Sequence, residues 1–182
     1  MIGSMVFLAG TAVFTWVSRH SLLKPRSHGF YRFIAWECML ALVLINYPMW
    51  THDPFAPRQI ASWSLLLISP VLALRAVILL RQIGRRSNER HDAELLSFEK
   101  TSTLVTTGVY RHIRHPMYAS LLFLTWGTFL KDISLPSIAL VGAASIALFI
   151  TALRDEAESG RYFGSAYLEY MKTSKRFVPF LF

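Results

Sequence analysis

Two polar clusters hold the residues best suited to chemistry in this 182-residue chain. The first reads TTGVYRHIRHPMY at 106–118 and stands directly before an apolar run. Pro116 fits the first turn of a helix, so Tyr118, three residues after His115, faces the same side as that histidine. Unpaired N–H groups at a helix start favour an anionic ligand group. The first cluster therefore predicts a ligand pocket around His115 and Tyr118.

The second cluster reads RDEAESGRYFGSAYLEY at 154–170. Helical spacing places four of its side chains on one face, although two glycines weaken that helix: Glu156, Phe163, Tyr167 and Tyr170. Asp155 and Glu156 stand where a membrane span would end, and acidic groups at that depth are costly unless paired. They form either part of a functional site or ion pairs with the neighbouring Arg154 or Arg161.

The composition indicates a membrane protein. Of the residues, 53% are hydrophobic and 16% charged, and the mean hydropathy is +0.39. Such a chain is too apolar for a soluble domain of this length. The net charge of +8 does not predict nucleic-acid binding, because the basic residues fall in blocks between apolar segments and no nucleic-acid motif is present.

Five apolar segments predict an all-α membrane protein with about five transmembrane helices, at about 1–17, 33–50, 60–80, 117–130 and 133–153. The single membrane domain, 1–182, then divides into four parts. These are three N-terminal spans at 1–80, a cytoplasmic linker and loop at 81–115, a two-helix hairpin at 116–153 and a cytoplasmic C-terminal segment with a helix at 154–182.

The distribution of charge predicts the orientation. Most of the 19 lysines and arginines lie between the first two spans, between the third and fourth, or after the fifth. The positive-inside rule then places the N-terminus outside and the C-terminus in the cytoplasm. We expect an active site on the cytoplasmic face, most simply in the inner membrane of a prokaryote. The charged segment 81–100 of the linker is interpreted as a helical extension of the third span, and residues 102–110 are interpreted as a loop.

Other polar residues favour different functions only weakly. Glu37 and Arg75 lie within spans, and a cross-helix ion pair is the simplest account. A transporter would use similar residues, but no internal repeat or pair of broken helices supports one. A small transporter or a non-enzymatic membrane subunit is the alternative to an enzyme. His112 and His115 lack the carboxylates or cysteines of a metal site, so no metal is predicted.

The two clusters together resemble the isoprenylcysteine carboxyl methyltransferase family, small membrane enzymes with relatives that act on phospholipid amines and small thiols. Residues 104–118 are similar to the family's LVxxGxYxxxRHPxY, and residues 155–170 to its EExxLxxxFGxxYxxY. RFVP at 176–179 resembles the family's closing Arg-x-x-Pro. A two-span hairpin separates the two longer motifs, as in the family.

The resemblance implies methyl transfer from S-adenosyl-L-methionine to a lipid or another hydrophobic acceptor bearing a carboxylate, thiol or amine. It assigns cofactor binding to Thr103, Leu104, Val105, Gly108, Tyr110, His115, Pro116, Tyr118, Asp155, Glu156 and Tyr167. Asp155 or Glu156 would meet the cofactor's amine. Arg114 and Arg154 are candidates for an anionic acceptor or the cofactor carboxylate, and otherwise for headgroup contact. Together with Glu156 they are the predicted catalytic residues.

Three departures from the family pattern bear on the acceptor. Asp155 replaces the first glutamate of the acidic pair, and Ser159 replaces a leucine. Thr151 stands where the eukaryotic enzymes have an arginine that contacts the substrate carboxylate. The acceptor is therefore left open among prenylcysteine, phospholipid amine and small thiol.

Overall fold

The computed structural model describes residues 2–84 and 101–179. In those residues the regular structure is helical, with two 3₁₀ turns at Tyr47–Met49 and Gly108–Arg111. The α-helices in that part of the chain are α1 (Ile2–Leu22), α2 (His28–Asn46), α3 (Pro57–Ile83), α4 (Pro116–Phe129), α5 (Leu135–Phe163) and α6 (Ser165–Thr173).

The predicted all-α membrane architecture is confirmed. Four helices of the described residues are long and apolar enough to cross a membrane, namely α1, α2, α3 and α5. The remaining predicted span, α4, has 14 residues. At 1.5 Å per residue it covers about 21 Å, which is shorter than a hydrocarbon core of about 30 Å. The orientation of the bundle stays a prediction.

The helices extend beyond the apolar segments that predicted them. α2 begins at His28 rather than near 33, after Ser27, whose side chain accepts a hydrogen bond from the Phe30 N–H. α5 continues to Phe163 rather than ending near 153. Backbone hydrogen bonding does not stop where hydropathy falls, and tertiary contacts hold these polar turns in helical form. Of the predicted linker helix 81–100, residues up to Ile83 belong to α3, and 85–100 lie outside the described residues.

Small residues allow α2 and α5 to pack closely. Ala35, Ala144 and Leu148 are fully buried, and α2 with α5 and α3 with α4 form the most extensive helix pairs. The buried residues of α5 recur at helical spacing along one stripe, from Val141 to Ala152. Close approach through small side chains is typical of membrane helices.

The helices meet at two polar ends. At one end, called the site end here, the start of α2 contacts the last turns of α5, and the start of α4 contacts the same part of α5. At the opposite end, Asn46 of α2 donates to the carbonyl oxygen of Thr128 at 2.8 Å. Lys131 there donates to Gln59 of α3 at 3.0 Å.

The predicted ion pair between Glu37 and Arg75 is wrong. Glu37 accepts a hydrogen bond from the Thr11 hydroxyl of α1 at 2.7 Å, whereas Arg75 is an exposed residue of α3. The two residues lie on helices whose main packing partners differ. Sequence alone does not specify which helices are neighbours.

Candidate active site

The loop before α4 carries the first polar cluster. Gly108 adopts φ of +60°, and a Cβ atom there would lie 2.7 Å from a methyl carbon of Leu79. The glycine is therefore required both by its backbone angle and by the close approach to α3. The loop then forms the turn Gly108–Arg111, and Pro116 begins α4 as predicted.

The C-terminal tail holds this loop in place by backbone hydrogen bonds. The Arg114 N–H donates to the Lys175 carbonyl at 2.8 Å, and the His115 N–H donates to the Arg176 carbonyl at 3.2 Å. In return the Lys175 N–H donates to the His112 carbonyl at 2.9 Å. The loop before α4 and the C-terminal tail thus form a short parallel β-bridge next to the site.

A sharp break between α5 and α6 brings the tyrosines of the second cluster inward. The break lies at Gly164, where φ is +60°. Tyr167 and Tyr170 of α6 are both buried, and the Tyr170 hydroxyl donates to the Tyr110 carbonyl at 2.6 Å. Three members of the predicted shared face, Phe163, Tyr167 and Tyr170, therefore come together across two helices, whereas Glu156 points toward Arg114 and Arg176.

Glu156 is the centre of a buried ionic network. Arg114 Nε lies 2.7 Å from Glu156 Oε1. Arg176 reaches both carboxylate oxygens, with Nε and Nη2 each at 2.9 Å. Glu156 is 7% exposed, and such a buried carboxylate is stable only when it is paired and hydrogen-bonded.

His115 lies between the two acidic residues. Its Nδ1 is 3.4 Å from Asp155 Oδ2, and its Nε2 is 3.3 Å from Glu156 Oε1. Burial by itself lowers the pKa of His115, but the hydrogen bonds and charges of Asp155 and Glu156 outweigh it and raise that pKa. A doubly protonated ring supplies a donor to both carboxylates, whereas a neutral ring supplies only one.

A cavity lies in front of this network. Its empty volume is about 700 Å³, which includes space open to solvent. The wall includes aromatic, apolar and charged side chains from the loop, α3, α4, α5 and α6: Leu80, Thr101, Leu104, Val105, Tyr110, Arg114, His115, Pro116, Met117, Tyr118, Asp155, Ser159, Phe163, Tyr167 and Tyr170. A concave site with a few convergent charged groups is typical of small-molecule binding.

The tyrosine hydroxyls of α6 stay neutral at the cavity. Burial raises the pKa of Tyr167, and the nearby carboxylates of Asp155 and Glu156 raise it further. Burial also raises the pKa of Tyr170. Neutral phenols can donate hydrogen bonds and present an aromatic face to a cationic ligand.

Most of the predicted cofactor-binding residues do line the cavity. The structure brings together eight residues of that set, which lie far apart in sequence: Leu104, Val105, Tyr110, His115, Pro116, Tyr118, Asp155 and Tyr167. Arg114, a predicted catalytic residue, is there too, with its side chain 10% exposed. The roles assigned to these residues stay predictions.

Four predicted residues do not line the cavity. Glu156 points from α5 toward Arg114 and Arg176, behind the wall. Arg154 is exposed, because it lies on a different side of α5. Thr103 and Gly108 are exposed loop residues, and the Thr103 N–H donates to the Gly84 carbonyl at 3.0 Å. Glu156 therefore lies behind the cavity wall, and the other three residues lie outside the cavity.

Sequence patterns do not identify Arg176 as a site residue. It belongs to the RFVP motif, but its partner Glu156 lies 20 residues away, and no helical spacing relates the two. Ser159, Met117 and Leu80 were also missed as cavity residues. Ser159 stands one helical turn after Asp155 and accordingly shares its face.

The departure at Thr151 has a structural account. Thr151 is fully buried, and its hydroxyl donates to the Ala147 carbonyl at 2.8 Å. The side chain packs inside the bundle and makes no contact with the cavity. Within residues 2–84 and 101–179, no group of three or more histidine, cysteine or acidic side chains is placed to hold a metal ion.

Comparisons with known proteins identify the family of the chain. A profile of the phospholipid methyltransferase family matches residues 60–166. A protein-S-isoprenylcysteine O-methyltransferase of Dictyostelium discoideum is 24% identical over 187 residues, covering 97% of this chain and 77% of the relative. The protein-S-isoprenylcysteine O-methyltransferase A of Arabidopsis thaliana is 33% identical over 89 residues, covering 47% of this chain and 44% of the relative.

The family match runs from α3 to the start of α6 and therefore includes both polar clusters up to the residue before Tyr167. It confirms the resemblance that the motifs indicated. The alignment to the Dictyostelium protein covers 97% of this chain and extends the similarity to α1 and α2. The chain belongs to the phospholipid methyltransferase family and is a membrane methyltransferase related to the isoprenylcysteine O-methyltransferases.

Proposed function

We propose that this methyltransferase takes its methyl group from S-adenosyl-L-methionine, held in the cavity between the loop, α5 and α6. The observation that carries the proposal is the convergence at that cavity of the two motif segments, with Asp155 facing it. The methyl donor has a cationic sulfonium, a cationic amine and a carboxylate. The cavity offers a carboxylate and aromatic rings for the cationic groups and a guanidinium for the carboxylate.

Of the three charged groups at the site, Glu156 is fully occupied by ion pairs, whereas Asp155 and Arg114 line the cavity. Glu156 is saturated by arginines, whereas Asp155 lines the cavity with its side chain 23% exposed. We assign Asp155 to the donor's amine. Arg114 uses N–H groups from Nε and Nη1 for Glu156 and the Ser174 carbonyl, and a guanidinium has further donors for a carboxylate.

When bound, S-adenosylmethionine would supply an electrophilic methyl group to the acceptor's lone pair, and the electron pair of the broken S–C bond would stay on sulfur. The protein contributes positioning and exclusion of water. His115 is not assigned as a base, because its contacts with two carboxylates favour the protonated ring. We assign it to positioning: it fixes Asp155 and stacks on Tyr118, with ring centroids 5.4 Å apart.

The site end is proposed to face the cytoplasm, in the cytoplasmic membrane expected for a prokaryote. The lysines and arginines near the ends of α1, α3 and α5 support this orientation through the positive-inside rule. A variant with Asp53→Cys in a Cys38→Ser background tests it. We expect an impermeant maleimide to label this cysteine from outside, and labelling only from the cytoplasmic side would reverse the orientation.

A hydrophobic or amphipathic acceptor is proposed. Leu80, Val105 and Met117 give the cavity an apolar wall next to the lipid-facing helices. The family name and the relatives' printed names indicate phospholipid and isoprenylcysteine acceptors for those proteins. Transfer of labelled methyl to fractionated lipids and thiols would identify the acceptor of this chain.

Calorimetry with S-adenosylmethionine on detergent-purified protein tests the donor. We expect saturable binding that weakens by about tenfold or more in Asp155→Asn, because a charge-assisted contact is lost. Glu169→Gln serves as the control, since Glu169 is exposed and pairs with Lys172. No binding at high micromolar donor, or equal loss in both variants, would overturn the proposal.

A further inference from the structure

A second cavity lies beside the first and has no part in the methyl-transfer site described above. It is formed by the connection between α1 and α2 and by the last turns of α5, and its empty volume is about 1310 Å³, including space open to solvent. Three cationic side chains line it, Lys24, Arg26 and Arg161, together with Glu158 and Tyr162.

The acidic residue of this cavity is committed to α2. Glu158 Oε1 accepts the backbone N–H of His28 at 3.2 Å, and Oε2 lies 2.6 Å from His28 Nδ1. His28 is fully buried, so this contact fixes α5 against the start of α2. Arg26 and Arg161 form no ion pair within the described residues, and both are exposed. The cavity therefore has an excess of positive charge.

The surroundings of the cavity are those of a membrane surface. Leu23, directly before the cavity residue Lys24, is 81% exposed. The ring of Tyr162 is also partly exposed at the cavity. Apolar and aromatic side chains next to cations are typical of the level where lipid headgroups meet acyl chains. A free anion would use the cations but not the apolar surface.

We propose that this second cavity binds the phosphate of an anionic membrane-lipid headgroup, held by Arg26 and Arg161. Guanidinium groups suit phosphate because their N–H donors match two of its oxygens. The same two turns of α5 line both cavities, with Asp155 and Ser159 facing the first and Glu158 and Arg161 facing the second. A lipid bound here lies beside the methyl-transfer site.

Lipid binding can be measured on the full-length protein in a neutral maltoside detergent. The probes are dioctanoyl phosphatidylglycerol, dioctanoyl phosphatidylcholine and inorganic phosphate. We expect saturable binding of phosphatidylglycerol, with an affinity at least about tenfold lower in Arg26→Gln/Arg161→Gln. The matched control Arg58→Gln/Lys172→Gln removes the same charge from exposed positions elsewhere, and its affinity should stay within about twofold of the unchanged protein.

Four outcomes would overturn the proposal. The first three are the absence of saturable phosphatidylglycerol binding, an equal loss in both double variants, and inorganic phosphate binding as tightly as the lipid. Phosphatidylcholine binding with equal affinity would remove the requirement for an anionic headgroup and would also contradict it. If the double variant is unstable, Arg26→Gln alone provides the same comparison, because Arg26 is exposed.

The proposal is separable from the proposed methyl donor. S-adenosylmethionine binding is measured on the same preparations, and we expect it to be unchanged in Arg26→Gln/Arg161→Gln. Loss of lipid binding with donor binding intact supports the second cavity. Failure of donor binding in the unchanged protein would contradict the proposed function without affecting the lipid measurement.

Discussion

The site end and the opposite end of the bundle both bury charged side chains, and they satisfy them differently. At the site end, Glu156 is bound by two arginines and lies next to His115, while its neighbour Asp155 faces a cavity. At the opposite end, Lys131 is fully buried, with Nζ 3.6 Å from the ring centroid of Trp63. That lysine is enclosed by the helices it joins.

The difference separates the polar cluster to which we assign a function from one that holds helices together. At the opposite end, Gln59, Asn46 and Ser137 exchange hydrogen bonds with backbone and with one another, and each is buried. At the site end, the saturated Glu156 stabilises a wall from which other groups face open space. A buried charge alone does not indicate a binding site, whereas a charge that faces a cavity is available to a ligand.

The largest expected effect is that of Glu156→Gln. Removing the buried anion leaves Arg114 and Arg176 without their shared partner, which costs about 3 kcal/mol in the free energy of unfolding. Chemical denaturation in detergent, followed by tryptophan fluorescence, measures it. Glu169→Gln is the matched control and should change stability by less than about 0.5 kcal/mol. Equal stability of the two variants would show that the network is not the centre of the site end.

Lys131→Met tests the opposite end. The variant loses the hydrogen bond to Gln59 and the contact with Trp63, and we expect a cost of about 2 kcal/mol. S-adenosylmethionine binding should stay within about twofold of the unchanged protein, because Lys131 lies at the far end of the bundle. Weaker donor binding with unchanged stability would reverse the comparison between the two ends.

Tyr170→Phe probes the contact between α6 and the loop. The hydroxyl donates to the Tyr110 carbonyl at 2.6 Å, and its removal should cost about 1 kcal/mol because a buried carbonyl loses its donor. Denaturation curves measure the change, with Tyr47→Phe as the control, since Tyr47 is 71% exposed. A larger effect in Tyr47→Phe would contradict the assignment.

The smallest expected effect is a pH dependence of stability due to His115. Its pKa in the folded protein lies above the ordinary value of 6.5. The folded state therefore binds the proton more tightly than the unfolded state. This contribution is fully present below about pH 6.5 and is lost as the pH rises through the raised pKa. As the pH rises through the raised pKa, the unfolding midpoint should fall more steeply in the unchanged protein than in His115→Asn. Parallel curves for the two proteins would contradict a contribution of His115 to this pH dependence.

Predictions from the sequence were accurate where a structural feature depended on a single segment of the chain. Hydropathy located the apolar helices, Pro116 marked the start of α4, and the motif residues His115, Tyr118 and Asp155 do meet at one cavity. It failed where the outcome depended on a distant partner. For ion pairs of the acidic residues, sequence proximity suggests Arg154 or Arg161, yet Glu156 is bound by Arg114 and Arg176.

What the sequence determined by itself is the all-helical membrane architecture, the family, and the two segments that supply the site. Tertiary structure decided which member of each segment faces the cavity. Adjacent residues of a helix point about 100° apart, so Asp155 and Glu156 have different surroundings although they are neighbours with the same charge. Only the positions of the tail and of α4 relative to α5 separate the residue that faces the cavity from the one that supports it.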